Sequence, residues 1–224
     1  MSTSSADPAR YYRFVADLFG VMAYSELSAF ERMSSDARYS PSLHDRAVFG
    51  RIAVIEFQHY ELVSAKLEGM GIDAEDAMLP FQASVDHFHE RTRPADWYES
   101  LMKAYVVRTV SADFYRTVSK YVDPDTRELI QQIESSGDAT AVLRERLKSA
   151  LADDPRLASR LALWGRRLVG EALTQAQRVS FEHAFLDGLT GGPDTEDAKE
   201  LVGRLRAEVA ENHSRRMVQL GMTG

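Results

Sequence analysis

Apolar residues along this chain recur at intervals of three and four, the period of one helix face, and not in the alternation of a half-buried strand. Four such stretches are long, roughly residues 8–36, 41–70, 95–121 and 155–188. At about 1.5 Å per residue each spans on the order of 40 Å. Shorter ones cover about 76–91 after Gly71, 124–135, 139–152 after Gly137-Asp138, and 194–218 after Gly191-Gly192-Pro193. Prolines mark the starts, in Asp7-Pro8, Ser40-Pro41, Asp123-Pro124, Asp154-Pro155 and Arg93-Pro94 ahead of Asp96. Proline is pre-organised for the first helical position, and an Asp or Ser before it can accept a bond from the unpaired amides. Asp96 and Glu99 add a capping-box-like pair. No strand pattern remains, so the fold class is all-α. The connection 71–94 between the two pairs of long helices is long enough to cross the length of a bundle. The expected organisation is one four-helix-bundle domain over 9–188, with short helices inserted at 76–91 and 124–152. A disordered start over 1–8 and a C-terminal helix over 194–218, packed on the same domain, complete it.

Chemistry in a bundle shows as charge where the stripe predicts carbon. The first long helix reads Val15, Phe19, Met22, Glu26, Ala29, Met33, and the second Phe49, Ile52, Glu56, His59, Val63. Glu56 and His59 form an E-x-x-H, whose i and i+3 side chains share a helix face and can reach a single metal ion. Glu26 lies 14 residues before Ser40 and Glu56 lies 16 after it, so a short turn sets them level. The third helix reads Met102, Val106, Val110, Asp113, Thr117, Tyr121, and the fourth Leu157, Leu161, Trp164, Leu168, Glu171, Gln175, Val179. Four inward carboxylates and one imidazole are the pattern of a carboxylate-bridged two-metal site. Unpaired charges at such depth cost several kcal/mol in general, so a counter-charge is required. It is either a metal or one of Arg108, Arg116, Arg166 and Arg167 in structural ion pairs.

Composition narrows the choice. Among 224 residues there is no cysteine, which removes thiolate metal sites, disulfides and cysteine nucleophiles and leaves His, Asp and Glu as ligands. A charge of −7 argues against broad nucleic-acid or anionic-membrane binding. The doublets Arg166-Arg167 and Arg215-Arg216 can contact phosphates, although solvated or ion-paired arginines are the plainer reading. The start MSTSSADP has no basic or apolar signal region, and no run of 18 apolar residues occurs, so a cytoplasmic location off the membrane is expected. His87 and His89 point about 200° apart on a helix and read as part of a solvated face. Trp97, Tyr98, Phe114, Tyr115 and Trp164 read as core. No phosphate-cradling loop or Ser/His/Asp arrangement is present.

Glu26 in AYSELSAFERM, Glu56 and His59 in AVIEFQHYELVSAKL, Asp113 in SADFYRTV and Glu171 in WGRRLVGEALTQAQ resemble the ligand segments of ferritin-like proteins. Within that superfamily the chain is most similar to the actinobacterial-type proteins grouped with the tRNA 2-methylthio-isopentenyladenosine hydroxylases. The resemblance implies a ferritin-like four-helix bundle, a non-haem di-iron centre and O₂-dependent hydroxylation of a tRNA base's side chain, with an external electron donor. In that scheme Glu56 and Glu171 bridge, Glu26 and Asp113 are terminal, and His59 is the imidazole ligand. Two positions depart from the pattern. Asp113 stands where Glu is usual, and Thr174 stands where a second His is expected, with Gln175 beside it as a weak oxygen ligand. The site therefore holds two irons if complete and one if it is a half-site, another divalent metal being the alternative. The rival reading is a ferritin-like binding or scaffolding module whose metal site is incomplete or lost. A homodimer is compatible with either.

Overall fold

A computed structural model describes residues 8–135, 138–182 and 196–222. Among these residues eight α-helices follow one another: α1 (Pro8–Asp36), α2 (Leu43–Gly69), α3 (Ala74–Arg91), α4 (Trp97–Val118), α5 (Pro124–Ser135), α6 (Ala139–Asp153), α7 (Leu157–Glu182) and α8 (Glu196–Gln219). Among the described residues there is no strand, as the period of the apolar positions requires. The expected disordered start lies outside the described residues except for Pro8, and so do 183–188 and 194–195 at the helix ends.

Local chemistry sets the boundaries. Ser42, not Ser40, caps α2, its Oγ accepting from the Asp45 amide at 3.0 Å, so the helix begins two residues later than Ser40-Pro41 predicts. Asp73 caps α3 through the Asp76 amide at 3.1 Å, which starts that helix at Ala74, and it continues through Pro80. Asp96 caps α4 through the Glu99 amide at 3.0 Å, while the Glu99 carboxylate accepts from the Ala95 amide at 2.9 Å. The segment after α4 tightens into a 3₁₀ turn over Ser119–Tyr121, so Tyr121 leaves the predicted stripe and is exposed. Asp123 caps α5 through the Thr126 amide at 3.0 Å and also accepts from the Tyr11 hydroxyl. Asp154 instead folds back on Arg156, and α7 begins only at Leu157.

α1 lies along α2 on one side and α3 on the other; α4 lies along α7, α6 and α8. Contacts of α1 with α4 and of α3 with α7 join the two sets. Helix α3, inside the predicted crossing connection, is therefore an integral wall. Its approach to α1 is close: a Cβ at Gly20 would lie 2.2 Å from the Ala77 carbonyl oxygen. The apolar core divides into two clusters. One gathers Met33, Phe49, Ile52, Met102 and Leu161 with parts of α6 and α8; the other gathers Phe14, Phe19, Met22, Val63, Leu67 and Tyr115 with α5. On α1, α2 and α4 the buried residues between these clusters are polar: Glu26 and Ser28, Glu56 and His59, Thr109 and Asp113.

Gly20 and Gly50 offer an internal comparison. Gly20→Ala forces backbone of α1 and α3 apart and should destabilise by about 1–3 kcal/mol. Gly50, where an added Cβ meets nothing within 4 Å, should gain roughly 0.5–1 kcal/mol from the same change. Urea unfolding of the two variants checks this; equal effects would contradict the close α1–α3 crossing.

Candidate metal centre

Between the two apolar clusters, Glu26 from α1 and Glu56 and His59 from α2 converge. They are 9%, 5% and 2% exposed. One ligand atom of each lies within 4.8 Å of the other two. The convergence follows from sequence: Glu56 and His59 are three apart on one face of α2, and the short turn over 37–42 returns α2 antiparallel to α1, bringing Glu26 level.

The contacts inside the cluster are close without being complete. His59 Nδ1 lies 3.4 Å from Glu26 Oε2 and 3.5 Å from Glu56 Oε2. Neither ring nitrogen of His59 has a hydrogen-bond partner, although both are buried. Glu56 also accepts from Arg108 Nη1 of α4. Burial lifts the Glu26 carboxyl to about 8, with Glu56 adding to the rise and His59 opposing it. Burial also pushes Glu56 upward, but His59, Glu26 and the Arg108 charge outweigh it and hold the group near about 2. Burial alone would lower His59; the two carboxylates reverse this and raise it to about 9. Two carboxylates and one imidazole, buried, within reach of one point and with the ring nitrogens unsatisfied, fit a divalent metal of the iron, manganese or zinc kind.

The other sequence-predicted ligands go elsewhere. Asp113 is fully buried, and Arg216 of α8 grips it from both guanidinium nitrogens at 2.6 and 2.7 Å, with Arg116 at 3.3 Å. This fork-to-fork geometry is the strong form of a charge-assisted pair and already supplies its counter-charge. Glu171 sits at the edge of the bundle, where Arg91 Nε of α3 donates to both oxygens at 3.0 and 2.9 Å. The Arg91 guanidinium, first by hydrogen bond and then by charge, keeps that carboxyl below its usual range. Thr174 bonds back to the Gly170 carbonyl of its own helix at 2.8 Å, and Gln175 is buried in a different part of the interior. The structure brings together Glu26, Glu56 and His59, and places Asp113 and Glu171 in arginine pairs.

A cavity of about 130 Å³ opens beside the cluster, lined by Glu26, Glu56 and His59 and by Lys103, Tyr115 and Glu134. Sequence reasoning missed Lys103 and Glu134. Lys103 follows the stripe residue Met102 by one position, and Glu134 follows Ile133 on a short helix with a polar outer face, so neither breaks an apolar pattern. Lys103 is buried, which lowers its ammonium to about 7, and it donates to the Thr92 carbonyl at 2.9 Å. His89 corrects the expectation of a solvated face. It is only 9% exposed, and burial, then the charges of Lys103 and Arg32, hold its imidazole down to about 3. The helical period separates His87 from His89 as expected, but α3 turns the His89 side inward against α4.

His89 carries a pH signature. With a folded value of about 3 against 6.5 when unfolded, the unfolded chain takes up a proton that the folded one does not. Stability therefore falls as pH drops through that window. Between pH 6.5 and 5, wild type should lose about 2 kcal/mol relative to His89→Leu, from roughly 1.4 kcal/mol per pH unit. Lys103 and Arg32 face the imidazole in both directions of the titration, and Asp86 lies one turn before it. Urea unfolding of both proteins across this range checks the slope; parallel curves would contradict a neutral buried His89.

Comparison with curated proteins finds no match to the chain. The ferritin-like domain of actinomycetes matches residues 9–193, which span α1 through α7 and with them Glu26, Glu56 and His59. Helical architecture, a polar layer at mid-bundle and this match agree, and the chain belongs to the actinomycete ferritin-like domain family.

Proposed function

We propose that the protein is a metal-dependent oxidoreductase, an O₂-using non-haem oxygenase or hydroxylase, built on one divalent ion held by Glu26, Glu56 and His59. The observation that carries this reading is the buried convergence of the three groups with neither His59 ring nitrogen hydrogen-bonded. The donor set suits ferrous iron, with manganese and zinc as alternatives. A bound ferrous ion supplies redox chemistry and open coordination positions for dioxygen. The chain's own residues do the rest. Arg108 anchors Glu56, α2 fixes the Glu56–His59 spacing, and apolar clusters flank the centre on either side.

One ion, and not two, is the proposed content, because Asp113 and Glu171 are engaged by arginines. An electron donor must come from outside. A tRNA base as substrate has the support of family resemblance alone. Arg167 donates to the Arg91 carbonyl, Arg215 to Asn212 and Arg216 to Asp113, so these arginines are engaged within the chain. The rival, a binding or scaffolding module without metal chemistry, is favoured by one contact. Arg108 on Glu56 and a protonated His59 would balance the two carboxylates without an ion.

Anaerobic titration with ferrous iron separates the two. About one iron per chain is expected, lost in His59→Ala and Glu56→Gln and retained in Asp113→Asn and Glu171→Gln. Iron no higher in wild type than in His59→Ala would overturn the metal reading and favour the module. About two per chain, falling with Asp113→Asn, would show that the arginine pairs open to complete a second site.

A further inference from the structure

A second cavity, of about 190 Å³, lies against the first. Ser25, Ala29, His89, Val107, Ser111 and Tyr115 line both, so small side chains and two rings form the partition. Five helices enclose it: α1, α3, α4, α7 and α8. Its wall is mainly apolar, with Val21, Val85, Phe114, Leu173, Leu205 and Val209, and among the described residues holds no Asp, Glu, Lys or Arg. Besides Ser25, Ser84, Ser111, His89 and Tyr115, one amide interrupts it. Gln175 of α7 is 7% exposed, lines this cavity, and has no hydrogen-bond partner for either its oxygen or its nitrogen.

A buried amide with both ends unmade is costly, and native interiors satisfy such groups. The amide offers one acceptor and one donor side by side, the complement of a group that both donates and accepts. The surrounding carbon wall asks for an apolar body. No charged side chain among the described lining residues is there to replace an ion's hydration, so a neutral molecule is the better fit. Size bounds the body: an apolar cavity of about 150 Å³ holds benzene, so this one suits about six to ten non-hydrogen atoms.

We infer that the cavity binds a small neutral organic molecule, apolar except for one amide-like donor–acceptor head, and that Gln175 holds that head. Its apolar body then lies toward the partition shared with the carboxylate cluster. That this ligand is also the molecule oxidised rests on the metal-centre reading; its binding does not.

The test uses metal-free, full-length protein and three probes of equal size, benzamide, isopropylbenzene and benzoate, followed by calorimetry and by NOEs to the methyls of Val107 and Leu173. Benzamide should bind, more tightly than isopropylbenzene, and benzoate should not. Gln175→Leu should weaken benzamide by about tenfold or more while leaving isopropylbenzene unchanged or tighter. The variant's melting temperature should equal or exceed that of wild type, because an unpartnered amide has been removed. No benzamide binding, benzoate binding as tightly, or a Gln175→Leu variant with unchanged benzamide affinity would each overturn the inference. The iron titration is independent of this one. Gln175-dependent benzamide binding without iron uptake would leave the ligand site standing and remove the metal reading, and iron uptake without benzamide binding would do the reverse.

Discussion

Charge buried halfway along a helical bundle must be neutralised where it sits, and most of what is distinctive in this chain follows from that constraint. Helices α1, α2 and α4 each pass from one apolar cluster to the other through ionisable residues, Glu26, Glu56 with His59, and Arg108 with Asp113. Asp113 is neutralised by the forked contact from Arg216, which also fastens α8 across the bundle. Glu171 is neutralised by Arg91, which ties α7 to α3. In both cases the compensating group is a side chain, and the pair doubles as a tertiary clasp. Glu26, Glu56 and His59 are compensated differently. They face one another, with Arg108 satisfying one oxygen of Glu56 and leaving the imidazole without hydrogen bonds. That difference sets the three apart from Asp113 and Glu171.

The helices were legible because helix period, proline and capping residues are local signals. The stripes through Glu26 and through Glu56-His59 point inward as the pattern predicts, since helices of about seven to eight turns average out small errors of phase. What sequence does not carry is the identity of a carboxylate's partner. Asp113 and Glu171 occupy stripe positions equivalent to those of Glu26 and Glu56. Only tertiary structure brings Arg216 across 103 residues and Arg91 across 80. His89 was misread for a related reason. The connection that looks like a crossing is a packed wall, made possible by Gly20 letting α3 approach α1, and this buries His89 on a helix of mostly polar sequence. Gln175 stood in its stripe as a polar residue among apolar ones, yet its lack of partners is visible only when five helices are assembled around it.

The same arrangement links structure to function. A cluster of two carboxylates and an imidazole lies beside one cavity, which abuts a second with a mainly apolar wall; in the reading proposed above the first takes a metal and the second an organic molecule. Membership of the ferritin-like domain family provides the scaffold, and fold alone does not fix chemistry. The chemistry rests on which buried charges are left for a ligand after the arginines have taken theirs.

Anomalous diffraction from crystals grown with manganese(II) tests this most directly. A single peak is expected about 2.0–2.2 Å from Glu26, Glu56 and a ring nitrogen of His59, with Arg216 still clasping Asp113. No peak at the cluster, with the carboxylates remaining on His59 and Arg108, would contradict a metal centre at this site.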